Sequence, residues 1–283
     1  MKNYVIITPV HNEEKYIEMY IDSVINQVKK PKLLLLVDDS STDSSRKLIE
    51  NYVNKYRWIK YVYHEAPPTK KQGGKIVNVF NYGLQHIQME EYDLICKIDS
   101  DLELSKKYFE IICKEFDLNE KLGVFGGTIF EVSNGQWNPI KMSEYEVRGA
   151  IKTYRVACLK DIGGLDPVLG WDGLDLMKAL YQGWDVGNCT AKVKHYRPAN
   201  DDYNAIYMAY KSGVANYQCG GGVFLAFVRS TVRLVKKPYV LIGFSFLCGY
   251  MLSLLINKKR YTSRGLATFI NKFHIKRLLS FKR

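Results

Sequence analysis

Up to about residue 127 the chain alternates short β-rich runs with segments of helical period, and this alternation confines it to an α/β fold of βα units on a mostly parallel sheet. Residues 4–8, 33–37, 59–63 and 92–98 are the β-rich runs. After the first, Ile17, Tyr20, Ile21, Val24 and Ile25 recur at three-and-four spacing, which gives an amphipathic helix one buried face. Ser41 or Thr42 can cap a second helix through Tyr52, because a short side-chain oxygen there accepts from first-turn amides. Residues 75–87 read as a further helix. Carboxylates follow directly on the second and fourth runs. In an open α/β sheet ligands bind at the carboxyl ends of the strands, so Asp38, Asp39, Asp99 and Asp101 are expected to converge on one crevice.

Five short motifs could carry chemistry. In Asp99-Ser100-Asp101 residues two apart on extended chain project to one side, so two carboxylates can face a hard divalent ion that bridges phosphate oxygens. Any loop can also hold two exposed aspartates. Asp38-Asp39-Ser40-Ser41-Thr42-Asp43 offers a carboxylate to a nucleobase imide or a ribose hydroxyl, or simply starts a helix. Gln72-Gly73-Gly74-Lys75 opens a helix where backbone amides and a lysine can approach phosphate, or forms a turn with a solvated lysine. In Trp171-Asp172-Gly173-Leu174-Asp175 the first aspartate can take a hydroxyl proton as a general base, and it can equally cap the helix that Leu176, Ala179 and Leu180 imply. In His195-Tyr196-Arg197 an imidazole can ligate a metal and a guanidinium can fork onto phosphate, against the plainer reading of a packed or surface histidine.

In order along the chain these pieces resemble the family 2 nucleotide-sugar glycosyltransferases of the GT-A fold. The matching stretches are Ile7-Thr8-Pro9-Val10-His11-Asn12-Glu13-Glu14, Val37-Asp38-Asp39-Ser40-Ser41-Thr42-Asp43, Gly74-Lys75 with Asn81-Tyr82-Gly83, and Asp99-Ser100-Asp101. Ile162-Gly163-Gly164-Leu165-Asp166 followed by Trp171-Asp172 looks like the family's acceptor-loop segment. The resemblance implies that Asp39 contacts the nucleotide base, that Pro9 and His11 line its pocket, and that Glu13, Lys75, Asp99 and Arg197 belong to the nucleotide-sugar site. Asp99, Asp101 and His195 would hold Mn²⁺ or Mg²⁺, and Asp172 would be the catalytic base of a direct, inverting displacement. Many members place Glu-Asp where this chain has Asp172-Gly173, which leaves Asp175 as the alternative base.

Charge divides the chain. Residues 203–283 contain 14 Lys and Arg and no Asp or Glu, so this stretch carries +14 while residues 1–202 carry −2. The expected domains are a catalytic one over residues 1–202 and a basic helical region over 203–283. In residues 223–237 Phe224, Phe227, Val228, Thr231 and Val235 fall on one side of a helix and Arg229, Arg233 and Lys236 or Lys237 on another, an interfacial pattern. Residues 238–256 are almost wholly apolar and flanked by basic residues at both ends, which fits a shallow monotopic helix better than a single span. Residues 266–281 mix Phe269, Ile270 and Phe273 with Lys272, Lys276 and Arg277 on the same pattern. The expected partners are a nucleotide-diphosphate sugar, a lipid-linked or membrane-bound acceptor and an anionic membrane surface, without nucleic acid. The expected location is the cytoplasmic face of the membrane, since the apolar run at residues 4–7 is too brief for a signal-peptide core and the six scattered cysteines suggest neither zinc nor disulfides. Two other functions compete: a nucleotidyltransferase on a similar sheet, and a non-catalytic nucleotide-sugar sensor. A dinucleotide oxidoreductase is disfavoured, as no Gly-x-Gly-x-x-Gly turn follows the first strand.

Overall fold

The computed structural model describes residues 2–65, 74–197, 204–235 and 237–280. Gln72 and Gly73 of the glycine motif, Pro198 and Lys236 lie outside them. Two compact units emerge: Met1–Lys71 with Lys75–Leu165 and Gln182–Pro198, and Gln72–Gly74 with Asp166–Tyr181 and Ala199–Arg283.

The first unit is a mixed sheet with helices. Its strands are β1 (Tyr4–Val10), β2 (Leu33–Asp39), β3 (Ile59–His64), β4 (Leu94–Ile98), β5 (Leu102–Leu104), β6 (Leu122–Ser133), β7 (Gln136–Pro139), β8 (Ile151–Arg155) and β9 (Asp185–His195). Its helices are α1 (Ile17–Ile25), α2 (Ser45–Lys55), α3 (Lys75–Leu84), α4 (Tyr108–Leu118) and α5 (Val156–Asp161). Every residue of β1 and β2 is buried, which is why both read as continuous apolar runs rather than alternating ones. The strand order is β3-β2-β1-β4-β8-β6-β9-β5, with β7 paired to β6.

The expectation of a mostly parallel sheet holds only for β3-β2-β1-β4. Over the whole sheet four pairings are parallel and four antiparallel. The antiparallel share comes from β5 and from the stretch after Gly127, where the helical period fails. One junction there follows a local rule: Asn134 and Gly135 both take positive φ, 53° and 73°, and close a two-residue hairpin in which Ser133 faces Gln136. That backbone twist matches the flanking strands and favours Asn-Gly.

The second unit contains α6 (Trp171–Tyr181), α7 (Ala205–Gln218), α8 (Val223–Arg233), α9 (Val240–Leu255) and α10 (Arg264–Ser280). Asn204 caps α7, its side-chain oxygen accepting from the amides of Ile206 and Tyr207 at 3.0 and 3.2 Å. Helices α7 and α9 meet backbone to backbone: Gly213 lies against the Phe246 carbonyl and Gly249 against that of Tyr210, so a methyl group at either would collide with main chain. Helix α9 buries Ile242, Phe246 and Tyr250 while Leu241, Phe244, Leu252 and Leu255 stay exposed. Among the described residues no helix is long and apolar enough to cross a membrane. The 16 residues of α9 rise about 24 Å at ~1.5 Å each, short of a hydrocarbon core of ~30 Å.

Candidate active site

The carboxyl ends of β2, β1 and β4 lie side by side. The register sets Val10 of β1 opposite Asp38 of β2, and Ile7 of β1 opposite Lys97 of β4. Ser100 Oγ donates to the Pro9 carbonyl at 3.2 Å, tying the turn after β4 to β1. With strands spaced ~4.8 Å apart, the ends of β2 and β4 flank β1 within about 10 Å of each other.

On the β2 side Asp38 and Asp39 part company. Successive strand residues face opposite ways, so Asp38 turns from the crevice, accepting from the Ser41 amide at 2.9 Å and the Tyr61 hydroxyl at 2.8 Å, where it is structural. Asp39 is buried and bound at both oxygens, by His64 Nδ1 and by Lys75 Nζ, each at 2.8 Å. His11 Nδ1 donates to the Asp39 carbonyl at 2.7 Å. Lys75, at the start of α3, is thus a partner of Asp39.

The loops after β1 and β2 are laced together. The Asn12 amide donates to Ser41 Oγ at 3.0 Å, the Thr42 amide to Asn12 Oδ1 at 2.8 Å, the Glu13 amide to Ser45 Oγ at 2.7 Å and the Glu14 amide to Asp43 Oδ2 at 3.0 Å. The expected cap at Ser41 or Thr42 therefore gives way to this lacing. Helix α2 starts later, at Ser45, whose amide donates to Asp43 Oδ1 at 3.0 Å.

Asp99-Ser100-Asp101 forms a turn between β4 and β5, so the extended geometry expected of the triplet is absent. The two carboxylates nevertheless lie close enough to interact. Burial raises the Asp99 pKa, Lys97 opposes that, and the charge of Asp101 adds to it. Lys97, buried within β4, is ion-paired to Asp99 and donates to the Gly149 carbonyl at 2.9 Å. Burial also works to raise Asp101, but the hydrogen bond and charge of His195, with the charge of Arg197, win and hold it below the usual value. Both cations approach one oxygen: Asp101 Oδ2 is 3.3 Å from His195 Nε2 and 3.4 Å from Arg197 Nε. The other, Oδ1, is buried with no hydrogen-bond partner among the described residues. A buried carboxylate oxygen left without a donor beside a second carboxylate is the chemistry of a hard-cation ligand, so Asp101 and Asp99 fit a divalent metal.

His195 is held differently. Its Nδ1 lies 2.9 Å from Glu131 Oε1, and with Asp101 on the other nitrogen these hydrogen bonds outweigh burial and raise its pKa to about 9. At neutral pH it is an imidazolium between two carboxylates, so ligating a metal requires it to lose a proton and release Asp101. Arg197 completes the group through an ion pair with Glu13 and a position 5.9 Å over the Tyr16 ring. Burial pushes the Glu13 carboxyl up to about 7, with Asp101 adding and Arg197 opposing. The structure thus brings Pro9, His11, Glu13, Asp39, Lys75, Asp99, Asp101, His195 and Arg197 to one edge of one sheet.

The family model for glycosyl transferase family 2 matches residues 5–164, which carry all of this edge except His195 and Arg197. The chain belongs to that family.

The chain is 33% identical over 117 residues to the minor teichoic acid biosynthesis protein GgaB of Bacillus subtilis (strain 168), a match covering 41% of this chain and 12% of that protein. Over 96 residues it is 35% identical to an uncharacterized glycosyltransferase of Haemophilus influenzae, covering 34% of this chain and 35% of that one. The matches therefore span well under two thirds of these relatives. Among solved structures, S. aureus TarS 1–349 in complex with UDP-GlcNAc aligns with a TM-score of 0.58 at 20% identity over 91% of this chain and 73% of that one. The mannosyltransferase PcManGT from Pyrobaculum calidifontis, in complex with GDP-Man and Mn²⁺, aligns with a TM-score of 0.56 at 14% identity over 98% and 81%. At such identities the likeness establishes the shared GT-A fold.

Three residues of the candidate site escape a reading of the sequence. His64 is the last residue of β3, one beyond the expected strand end, and position at a carboxyl edge is the signal that points to it. Lys97 is masked by its place inside an apolar strand, and Glu131 pairs with His195 only because β6 and β9 are neighbours. Asp172 and Asp175 both lie on α6, in the second unit. Asp172 is half-buried in the first turn, whereas Asp175 is 2% exposed and its Oδ1 accepts from the Leu176 amide at 2.7 Å.

Proposed function

We propose that the protein transfers a sugar from a nucleotide-diphosphate donor to an acceptor hydroxyl, with inversion, in the assembly of a cell-surface polysaccharide or glycolipid. The observation that carries this reading is the Asp101 carboxylate, one oxygen tethered by His195 and Arg197 and the other buried without a partner. A divalent cation, Mn²⁺ or Mg²⁺, held there by Asp101 and Asp99 would neutralise charge on the departing diphosphate. Asp39 and His11 bind the nucleoside, and Arg197 turns from Glu13 onto the leaving diphosphate oxygens. Asp172 takes the acceptor hydroxyl proton as the new bond forms at the anomeric carbon and the diphosphate leaves from the opposite face. Its half-exposed position suits that task better than the buried Asp175. The relative named for teichoic acid biosynthesis and the sugar-nucleotide complex of TarS support the substrate class.

Transfer takes place at an anionic bilayer, on the cytoplasmic face, to a lipid-linked or membrane-bound acceptor. Exposed Phe224, Phe227, Leu241 and Phe244, within a stretch carrying 14 basic residues and no acidic ones, support this location.

Donor screening for release of nucleoside diphosphate tests the reaction. Release that requires Mn²⁺ or Mg²⁺ is expected, and Asp172→Asn should lower it about 10²- to 10⁴-fold. Pyrophosphate release from a triphosphate would instead mark a nucleotidyltransferase, and nucleotide-sugar binding without turnover would mark a sensor. If Asp175→Asn abolishes turnover with the fold intact while Asp172→Asn does not, the base is misassigned.

A further inference from the structure

Helix α8 buries Leu225, Ala226 and Ser230 and leaves a second apolar stripe open to solvent. Phe224, Phe227 and Val235 beyond its end are 61%, 49% and 76% exposed, whereas Arg229 and Arg233 turn inward to a cleft of about 220 Å³ shared with α10. From α10 the cleft receives Arg277 and His274. Its remaining lining is apolar, with Leu225 and Val228 inside and Val232 and Leu278, 62% and 43% exposed, toward solvent.

The partners of Arg229 and Arg233 are neutral. Arg229 donates to Asn216 Oδ1, while Arg233 donates to the Arg229 carbonyl at 2.9 Å and lies 4.4 Å over the Phe246 ring. No Asp or Glu occurs anywhere in residues 203–283. Burial lowers the Arg229 pKa, and the like charges of Arg233 and Arg277 push the same way. Desolvated like charges held together by a fold are costly unless an anion joins them. Guanidinium groups match phosphate geometry as forked donors, and here they form the floor of a cleft with apolar walls.

We infer that the cleft between α8 and α10 binds an amphiphilic phosphate, a phosphate or diphosphate head on an apolar chain. The head sits among Arg229, Arg233 and Arg277, and the chain leaves along Val232 and Leu278. Binding there does not depend on the transferase reading, since the ligand can be a bilayer lipid as well as a lipid carrier.

The test is calorimetric titration of the full chain, in chelator so that metal-dependent binding is silent, with farnesyl diphosphate and with inorganic pyrophosphate. Farnesyl diphosphate should bind at least tenfold tighter than pyrophosphate. Arg277→Gln and Arg233→Gln should each weaken it about tenfold or more, the size of one charge-assisted hydrogen bond. Val232→Ser, at an exposed position that leaves the fold alone, should weaken farnesyl diphosphate and not pyrophosphate. Flotation with phosphatidylcholine vesicles, with and without phosphatidic acid, separates the sources. Arginine-dependent binding only with phosphatidic acid assigns a bilayer headgroup, and binding of soluble farnesyl diphosphate alone assigns a carrier. The proposal is overturned if pyrophosphate binds as well as farnesyl diphosphate. It is overturned equally if Lys258→Gln with Lys259→Gln weakens binding as much as the arginine variants, which would mean diffuse charge. An Arg197→Gln variant that loses the signal would assign it to the nucleotide site instead.

Discussion

Around Asp39 and Asp101 each carboxylate has two basic side chains within 3.4 Å: His64 and Lys75 on the first, His195 and Arg197 on the second. The cleft of α8 and α10 gathers three arginines in a stretch of sequence that holds no Asp or Glu. The first region balances its charge within the chain and keeps one oxygen in reserve. In the second the sequence supplies one sign only. Local balance suits a site that must stay ordered while small ligands come and go, and one-sided charge suits a site whose counter-ion arrives from outside.

The contrast can be broken by removing charge where it is balanced. Asp101→Asn should cut turnover about 10³-fold, the scale for losing one electrostatic anchor of a transition state, and should also lower the melting temperature because His195 and Arg197 lose the carboxylate they share; nucleoside-diphosphate release and calorimetry check both halves. Asp38→Ala is the inverse case. It strips two hydrogen bonds from a carboxylate that is 1% exposed, so it should cost about 1–3 kcal/mol of stability in a denaturant titration. Donor affinity should follow only through the fold. Next comes the imidazolium of His195. Its folded pKa of about 9 lies above the ordinary 6.5, so its contribution to stability is complete below 6.5 and is lost as pH rises through about 9. Melting curves of metal-free protein across that window should slope downward, and His195→Gln should flatten them. The smallest effect is expected from giving the arginine cleft its own acid. Val232→Glu, at a half-open position, should stabilise the chain by up to about 1 kcal/mol and weaken farnesyl diphosphate binding. Destabilisation by that carboxylate would argue that the cleft's charge is already met.

Much of the parallel half of the sheet is legible in the sequence because its strands are buried on both faces and α1 keeps a clean three-and-four period. The carboxyl-edge rule then places Asp39, Asp99 and Asp101 together without any knowledge of distances. The geometry beneath that rule is not legible. Asp38 differs from Asp39 only by strand parity, and Asp99 and Asp101 meet through a turn that no spacing argument shows. Glu131 is 64 positions from His195, and only the pairing of β6 with β9 makes them neighbours. The hairpin at Asn134-Gly135 was readable as a local signal, yet the strands on either side lack a period that would draw attention to it. In α8 the sequence separates an apolar from a basic side correctly, and only tertiary packing on α10 tells which of the two faces inward.

The lacing of the first two loops bears on how a ligand is received. Four main-chain amides of residues 12, 13, 14 and 42 are already spoken for by side chains of the opposite strand-to-helix connection. On the proposed function, a nucleoside arriving at Asp39 meets a rim whose shape is fixed in advance, and association there loses little conformational freedom. Selectivity at such a rim arises from steric fit, and the amides of this segment should exchange with solvent slowly in the free protein and hardly slower in the bound one.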